Sequence, residues 1–299
     1  MKLEVVQPGL STTIQDSGRI NGLAYGVPRG GAMDVTLMQF ANQIVGNPIT
    51  YPVLEFTLHG GSYKFGDDSI IAVTGCGNAQ LNSDKIELNS RVSVNKGDIL
   101  KVNSGRKGRY NYLSILGKIE AEEFWGSYST YELAKKGGFK GRKLERGDVL
   151  LIKEGIENKS ISFTKFLNSR KSVIRIMKAP EFNDFPDEDI TKIVKDSFTV
   201  SLNSNRMGYR LNECVLEGTK SGNIISSGCV PGTIQVPSSG APIVLMADSP
   251  TSGGYPRIGV IHPQDLGDFA QRLPGENVKF KWFEAQNNSI FKKIFYFNY

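Results

Sequence analysis

The chain has 299 residues, which is enough for two ordinary domains or one large one. Apolar residues make up 39% and charged residues 22%, an ordinary globular mixture that excludes a wholly disordered chain. The net charge of +6 is spread in short pieces without interleaved aromatic residues, which favours a solvated basic surface over a nucleic-acid interface. Glycine is abundant, with 33 residues, and this predicts a turn-rich β protein.

The first half of the chain predicts many short strands and one helix. Residues 1–7 alternate in polarity like a strand. Asp34 is a good N-cap before an apolar helical stripe, which Gly46 and Pro48 end. The turn 95–98 (Asn-Lys-Gly-Asp) between strands 91–94 and 99–102 predicts a hairpin. Further strands are expected at 54–58, 63–65, 70–74, 110–116 and 149–152.

The second half follows a polar, weakly patterned stretch that predicts a domain boundary. We expect an N-terminal domain over 1–155, a linker over 156–171, a second domain over 172–285 and a tail over 286–299. Strands are predicted at 173–177, 198–202, 224–225, 234–236, 243–246, 258–261 and 278–280, with short helices at 187–194 and 266–270. The two halves are alike in style, and both are mainly β.

Several common kinds of site are excluded because the residues they need are missing. Only two histidines, His59 and His262, are present, so we expect no metal site of the histidine-rich type. Cys76, Cys214 and Cys229 are odd in number and widely spaced, which fits thiols in a reducing compartment. No Gly-Lys-Ser/Thr phosphate loop occurs, so any ATP site must lie on another chain or be unusual. Residues 1–7 lack the long apolar core of a signal peptide, and no apolar run approaches the ~20 residues of a membrane span. We therefore expect a cytoplasmic protein without membrane contact.

Three segments concentrate glycine, proline, arginine and aspartate. The first covers 7–19 and 26–34, the second 204–211, and the third 230–237, 242–248 and 253–257. Glycine lets backbone N–H groups approach a ligand, arginine offers a planar fork for a carboxylate, and aspartate or glutamine can read an amide. The segments therefore predict a site for a small amide- or carboxylate-bearing molecule. The alternative is that they are tight turns in which arginines pair with aspartates for structure.

Acid–base chemistry in a chain with two histidines would fall to carboxylates or tyrosine. The candidates are Asp16, Asp34, Glu55, Asp248 and Tyr255. Spacing alone assigns none of them, because pairs formed by distant segments are invisible in one sequence. For Asp34 the N-cap interpretation is favoured.

The same segments carry a family resemblance. They read Thr12-Thr-Ile-Gln-Asp-Ser-Gly-Arg19, Gly26-Val-Pro-Arg-Gly-Gly-Ala-Met-Asp34, Asn205-Arg-Met-Gly-Tyr-Arg-Leu211, Pro242-Ile-Val-Leu-Met-Ala-Asp248 and Gly253-Gly-Tyr-Pro-Arg-Ile258. With these motifs in family order up to about residue 280, the chain resembles the family of bacterial 5-oxoprolinase C subunits. That family is also called KipA-like, biotin-dependent carboxyltransferase or allophanate hydrolase subunit 2. The sequence departs from the family pattern at Tyr128, Ala241 and Ser252.

The resemblance implies both a fold and an activity. The fold is mainly β, with two cyclophilin-like β-barrel domains and short helices at the barrel ends. The activity is that of one component of an ATP-dependent hydrolase that opens 5-oxo-L-proline to L-glutamate, with ATP and Mg²⁺ acting at the level of the complex. The implied partners are the A and B subunits of 5-oxoprolinase, of which the second is KipI-like, and the chain is expected to be inactive alone.

Two alternatives remain beside this interpretation. The first is a carboxyltransferase component that moves CO₂ from biotin to urea or a related amide. The second is a non-enzymatic regulator that binds a KipI-like inhibitor of a histidine kinase.

Under the 5-oxoprolinase interpretation, the Gly- and Arg-rich segments supply the site. The expected catalytic residues are Arg206, Arg210, Asp248 and Tyr255. The expected substrate-binding residues are Arg19, Asp16, Arg29, Gln235, Gly253 and Gly254. Arginines and backbone N–H groups would stabilise negative charge on the lactam oxygen, while the other polar groups orient the substrate or transfer protons.

Overall fold

The chain forms two compact units in the computed structural model, which describes residues 1–103, 105, 107–155, 171–220 and 222–283. The first unit comprises Met1–Arg19, Gly30–Arg170 and Ala270–Leu273, and the second comprises Ile20–Arg29, Lys171–Phe269 and Pro274–Tyr299. The predicted tail and all of the predicted linker except residue 171 lie outside the described residues. The domain boundaries predicted from the sequence stay a prediction.

The first unit is built from short strands arranged in two sheets. In chain order its elements are β1 (Lys2–Pro8), β2 (Thr12–Gln15), α1 (Val35–Val45), β3 (Val53–Thr57), β4 (Gly61–Phe65), β5 (Ser69–Thr74), β6 (Asn78–Leu81), β7 (Asp84–Ile86), β8 (Val92–Val94), β9 (Ile99–Asn103), β10 (Tyr110–Ile115), β11 (Lys118–Ile119), a 3-10 turn (Glu132–Ala134) and β12 (Val149–Lys153). One sheet has the order β11-β12-β1-β4-β9-β6-β7, and the other has the order β2-β3-β10-β5-β8.

A single apolar core joins the two sheets of this unit. Leu3, Tyr63 and Val102 from the first sheet are buried in one cluster with Phe56 and Leu113 from the second. Successive side chains of a strand point to opposite faces, so the second sheet has another face to cover. Helix α1 packs on that face through a separate buried cluster, which consists of Phe40, Ile44, Val45, Ile70 and Ala72.

Helix α1 has the ends that its sequence predicts. The Asp34 carboxylate accepts a hydrogen bond from the Leu37 N–H at 3.1 Å, which confirms it as the N-cap. Gly46 ends the helix in the left-handed conformation, with a φ of 92° that suits glycine. The second Asp34 oxygen accepts from the Gln271 side-chain amide at 3.0 Å, so the cap is also tied to the short 270–273 stretch of this unit.

The second unit is a closed barrel of seven strands. Its elements are a 3-10 turn (Leu23–Tyr25), β13 (Val173–Lys178), a 3-10 turn (Phe182–Asp184), α2 (Asp187–Lys195), β14 (Phe198–Val200), β15 (Gly208–Asn212), β16 (Ser227–Gly228), β17 (Thr233–Gln235), β18 (Ile243–Leu245), β19 (Ser252–Gly253), β20 (Arg257–Ile261), α3 (Pro263–Ala270) and β21 (Asn277–Trp282). The barrel order is β13-β20-β17-β18-β15-β14-β21, and β16 pairs with β19 as a separate two-stranded ribbon. The mainly β fold class expected from the sequence is confirmed.

Three local predictions differ from the structure. The hairpin predicted around 95–98 is wrong: β8 pairs with β5, whereas β9 pairs with β4 and β6 in the other sheet. Its Asn-Lys-Gly-Asp turn connects a strand of one sheet to a strand of the other. The prediction failed because the residues of a turn do not specify which strands will pair. Residues 224–225 form no strand, and Ile225 is exposed. Helix α3 begins at Pro263, three residues before its predicted start, since proline fits the first helical turn.

No helix in the described ranges is long and apolar enough to cross a membrane.

We predict that Asp34→Ala lowers the free energy of unfolding by about 1–2 kcal/mol, because the first turn of α1 loses its cap and Gln271 loses an acceptor. Asp34→Asn should lose less, since its amide oxygen can still accept from the Leu37 N–H. Urea unfolding of the three proteins measures the difference. The exposed Glu123 gives a control in Glu123→Ala, and an Asp34→Ala protein as stable as that control would contradict the capping role.

Candidate functional site

Residues 248–257, called here the 248–257 segment, connect β18 to β20 and begin with a bidentate ion pair. Arg206 donates through Nε to Asp248 at 2.7 Å and through Nη2 at 3.0 Å. The pair forms because Arg206 precedes β15 and Asp248 follows β18, and these strands are antiparallel neighbours. The side chains keep 17% and 18% of their surface exposed, so the pair is accessible to a solute at its edge.

A second bidentate pair holds the other end of the 248–257 segment. Arg257 donates to the Glu181 carboxylate through Nε at 2.6 Å and through Nη2 at 2.5 Å. Its Nη1 donates to the carbonyl of Gly228 at 2.7 Å. The hydrogen bonds from Arg257 hold the pKa of the Glu181 carboxyl below its usual value. Glu181 therefore stays ionised, and the arginine fork keeps one orientation.

The middle of the segment supplies β19, which pairs with β16 to form the ribbon β16–β19: Ser227 faces Gly253 and Gly228 faces Ser252. The ribbon covers the Gln235 side chain, which keeps only 5% of its surface exposed. A Cβ added to Gly253 would lie 2.5 Å from the Gln235 amide nitrogen, so glycine permits this close approach. The same nitrogen donates to the Cys229 sulfur at 3.5 Å, and burial raises the pKa of that thiol.

Four neighbouring strands of the barrel carry one row of these side chains. Arg210 is opposite Ile243, Ile243 is opposite Gln235, and Gln235 is opposite Arg257. Tyr209 and Ile234, the neighbours of Arg210 and Gln235 along their strands, are fully buried. The row therefore faces outward from the barrel.

The structure brings together part of the predicted set in the second unit. Arg206 and Asp248 bind each other, and Gln235 and Gly253 are in contact. Arg210 is exposed at one end of the four-strand row. Gly254 accepts a hydrogen bond from the Ile224 N–H through its carbonyl at 2.8 Å. Tyr255 is 40% exposed on the same segment. Arg29 is also exposed and lies in the 20–29 part of this unit, but the row and the ion pairs do not include it.

Two predicted binding residues, Asp16 and Arg19, belong to the first unit, and both are buried there. The Asp16 carboxylate accepts hydrogen bonds from the hydroxyls of Ser127 and Ser129 and from the N–H groups of Gly18 and Tyr128. This carboxylate thereby fixes the loop around residue 128, and its role in substrate binding stays a prediction.

Arg19 is only 1% exposed and holds a loop of its own unit. It donates to the carbonyls of Phe124 and Ser129, and its guanidinium lies 5.3 Å from the centre of the Phe124 ring. These contacts give it a structural role in the loop that Asp16 also organises. Its role in substrate binding stays a prediction.

Asp34 and Glu55 are used inside the first unit as hydrogen-bond acceptors. Glu55 accepts from the Met33 N–H at 2.7 Å and from the Tyr112 hydroxyl at 2.9 Å. The same hydroxyl accepts from the Asp34 N–H at 2.7 Å, and burial raises the pKa of Tyr112. The network holds the glycine-rich stretch before α1 against β3 and β10.

Glu181 and Cys229 belong to the site, and the sequence alone does not identify them. Glu181 lies 76 positions from its partner Arg257, outside the three glycine-rich segments. Its one local signal is its place two residues after Ala179, where a strand has just ended. Cys229 is one of three widely spaced thiols in the sequence, and only the ribbon places it against Gln235.

Within the described part of the chain, no group of three or more His, Cys, Asp or Glu side chains could hold a metal ion.

Comparison with known proteins identifies the family. Residues 25–282 match the model described as carboxyltransferase domain, subdomain A and B. The chain belongs to this carboxyltransferase domain family, and the resemblance inferred from its motifs is confirmed.

The relatives include small bacterial subunits and parts of large enzymes. The 5-oxoprolinase C subunit of Escherichia coli K12 is 34% identical over 283 residues, which cover 93% of this chain and 90% of that protein. The protein of the same name from Haemophilus influenzae Rd is 33% identical over 286 residues, covering 95% of this chain and 92% of that protein. The crystal structure of the K. lactis urea amidolyase matches with a TM-score of 0.86 and 30% identity, over 95% of this chain and 19% of that enzyme.

We predict that Gly253→Ala lowers the free energy of unfolding by about 1 kcal/mol, because its Cβ meets the end of the buried Gln235 side chain, which must shift. Gly228→Ala is the matched control: it lies in the opposite strand of the ribbon, and its Cβ would meet no atom within 4 Å. Neither glycine has a positive φ, so backbone strain is not part of the comparison. Urea unfolding should separate the two variants, and equal stabilities would contradict the close packing of Gly253 on Gln235.

Proposed function

We propose that the chain is the C subunit of an ATP-dependent 5-oxoprolinase, which converts 5-oxo-L-proline to L-glutamate. The observation that carries the proposal is the match to the bacterial C subunits over nearly their whole length as well as over this chain. In the urea amidolyases, the corresponding region is a small part of a much longer protein. The proposal includes the two partners expected from the sequence, the A and the KipI-like B subunits, and a location in the cytoplasm.

The substrate chemistry fits the polar groups of the barrel. 5-Oxo-L-proline carries one lactam amide and one carboxylate. The amide can hydrogen-bond to other amide groups, and the carboxylate can pair with an arginine guanidinium. Gln235, with the backbone of Gly253 and Gly254, supplies amide groups beside the ribbon. Arg206 and Arg210 supply the cations, and Tyr255 adds an exposed hydroxyl.

Arg206 is the residue best prepared to stabilise charge during ring opening. Attack on the lactam carbonyl places negative charge on its oxygen, and a fixed cation stabilises that charge without reorganisation. The bidentate contact with Asp248 fixes the guanidinium plane of Arg206. We assign Asp248 the role of orienting Arg206. Arg210, on the strand β15 that follows Arg206, is assigned the role of a second cation.

The described residues do not fit an ATP–magnesium site. They hold no group of three or more His, Cys, Asp or Glu side chains that could bind a metal ion, and Asp248 is paired with an arginine. The sequence has no Gly-Lys-Ser/Thr phosphate loop. The proposal therefore assigns ATP and Mg²⁺ to the complex as a whole and routes no step through them on this chain.

A second candidate function is favoured by the family description itself. A carboxyltransferase domain moves CO₂ from carboxybiotin to an acceptor amide, and the K. lactis structure that this chain matches belongs to a urea amidolyase. Urea shares the amide group of 5-oxo-L-proline and lacks its carboxylate. The two candidates therefore differ in whether a cation must meet a substrate carboxylate.

We predict glutamate release from 5-oxo-L-proline only when this chain is combined with the A and KipI-like B subunits, ATP and Mg²⁺. The measurement compares the chain alone, each pair of chains and the full mixture. A parallel reaction with urea, bicarbonate, ATP and a biotinylated carrier tests the second candidate. A stable complex without turnover in either reaction would contradict both and support a regulator of a KipI-like kinase inhibitor.

We also predict that Arg206→Lys lowers kcat in that mixture by about tenfold or more, because lysine keeps the charge and loses the fork. Arg142→Lys, which alters the bidentate Arg142–Asp148 pair of the first unit, is the matched control. Equal kcat values for the two variants would remove Arg206 from the catalytic set.

A further inference from the structure

The Glu181–Arg257 pair also contacts the other strand of the ribbon, at Gly228. Two donors of the Arg257 guanidinium are held by the Glu181 carboxylate, and Nη1 donates to the carbonyl of Gly228 in the ribbon. A guanidinium held by a bidentate carboxylate has one defined plane, so its remaining N–H donors point in fixed directions. Glu181 thereby determines where the Gly228 strand lies.

The ribbon needs this attachment because it is very short. Each of its strands has two residues, and an isolated two-stranded ribbon is at best marginally stable in water. Its pairing is extended by bonds from the Cys229 N–H to Thr251 at 2.9 Å and from the Ile224 N–H to Gly254 at 2.8 Å. These bonds join the ribbon strands to each other and do not attach them to the barrel.

Side chains of the barrel wall make that attachment, and two of them contact residues 228 and 229. Arg257, at the start of β20, holds Gly228, and Gln235, at the end of β17, donates to the Cys229 sulfur. A bond to sulfur at 3.5 Å is weak, whereas the arginine contact is short and charge-assisted. The arginine contact is therefore the stronger of the two.

We propose that Glu181 is a positioning residue for substrate binding, which acts through Arg257 to hold the ribbon against Gln235. The inference rests on the proposed function, in which Gly253, Gly254 and Gln235 bind the lactam. Glu181 touches no substrate in this arrangement. It sets the spacing between the Gly253–Gly254 backbone and the Gln235 amide, and a small rigid lactam is sensitive to that spacing.

The first test uses this chain alone and measures amide hydrogen exchange. Glu181→Gln keeps the shape of the side chain and removes its charge, so Arg257 should release Gly228 more often. The N–H groups of Cys229 and Ile224 should then exchange at least about tenfold faster than in the unsubstituted protein. Asp148→Asn is the matched control, because it removes the charge from another bidentate pair, at 2.7 and 2.8 Å from Arg142, in the first unit.

The second test uses the reconstituted complex and separates KM from kcat. Glu181→Gln should raise the KM for 5-oxo-L-proline by about tenfold with a smaller effect on kcat, since the binding groups are displaced and the charged pair at Arg206 is untouched. Glu181→Asp, which keeps the charge, should restore part of the affinity. Asp148→Asn should leave KM unchanged even where it lowers the unfolding temperature.

The outcomes distinguish this inference from the function on which it rests. Unchanged exchange at Cys229 and Ile224 in Glu181→Gln overturns the inference whatever the assay shows. Faster exchange with an unchanged KM overturns its link to substrate binding. If the unsubstituted complex fails to open 5-oxo-L-proline, the proposed function fails and the link to this substrate fails with it, while the exchange rates still decide whether Glu181 holds the ribbon.

Discussion

Bidentate pairing of arginine with carboxylate is the interaction on which the barrel site depends. The 248–257 segment is ten residues of turn and ribbon, and each of its ends is fixed by such a pair, Arg206–Asp248 and Arg257–Glu181. A partly buried charge is costly without its partner, and removing one member leaves the other unsatisfied. The segment thus keeps a defined path although its regular structure amounts to two residues in a ribbon.

The first unit uses the same residue types for a different purpose. Asp16 gathers hydroxyl and backbone donors, and Arg19 donates to backbone carbonyls, so both stabilise a loop within the unit. In the second unit Arg206 and Arg257 pair with carboxylates on the outside of a barrel. An Arg- and Gly-rich motif therefore indicates where the chain makes close polar contacts. Whether a ligand could share those contacts depends on the groups that each arginine and aspartate binds in the folded protein.

Elements with local sequence signals, such as helix caps, could be predicted from the sequence. Elements and contacts that depend on residues distant in the chain could not. The ends of α1 followed from Asp34 and Gly46, because capping is decided within a few residues. Strand β2 is buried along its whole length and shows no alternation, and β15 lies inside a motif interpreted as a binding segment. Two of the three Gly- and Arg-rich segments supply residues of the candidate site, whereas Glu181 was missed because nothing near it in sequence indicates its pairing with Arg257.

The interleaving of the two units has a consequence for how the chain folds as it is synthesised. Residues 270–273 complete the first unit, where the Gln271 amide receives the N–H groups of Arg109 and Tyr110 and donates to Asp34. A ribosome delivers residues from the N-terminus onward, and domains usually begin to fold in that order. Here the first unit cannot be completed until Gln271 has been synthesised, after most of the barrel. Its backbone groups at 109 and 110 acquire their final partner only after residue 271 has been synthesised.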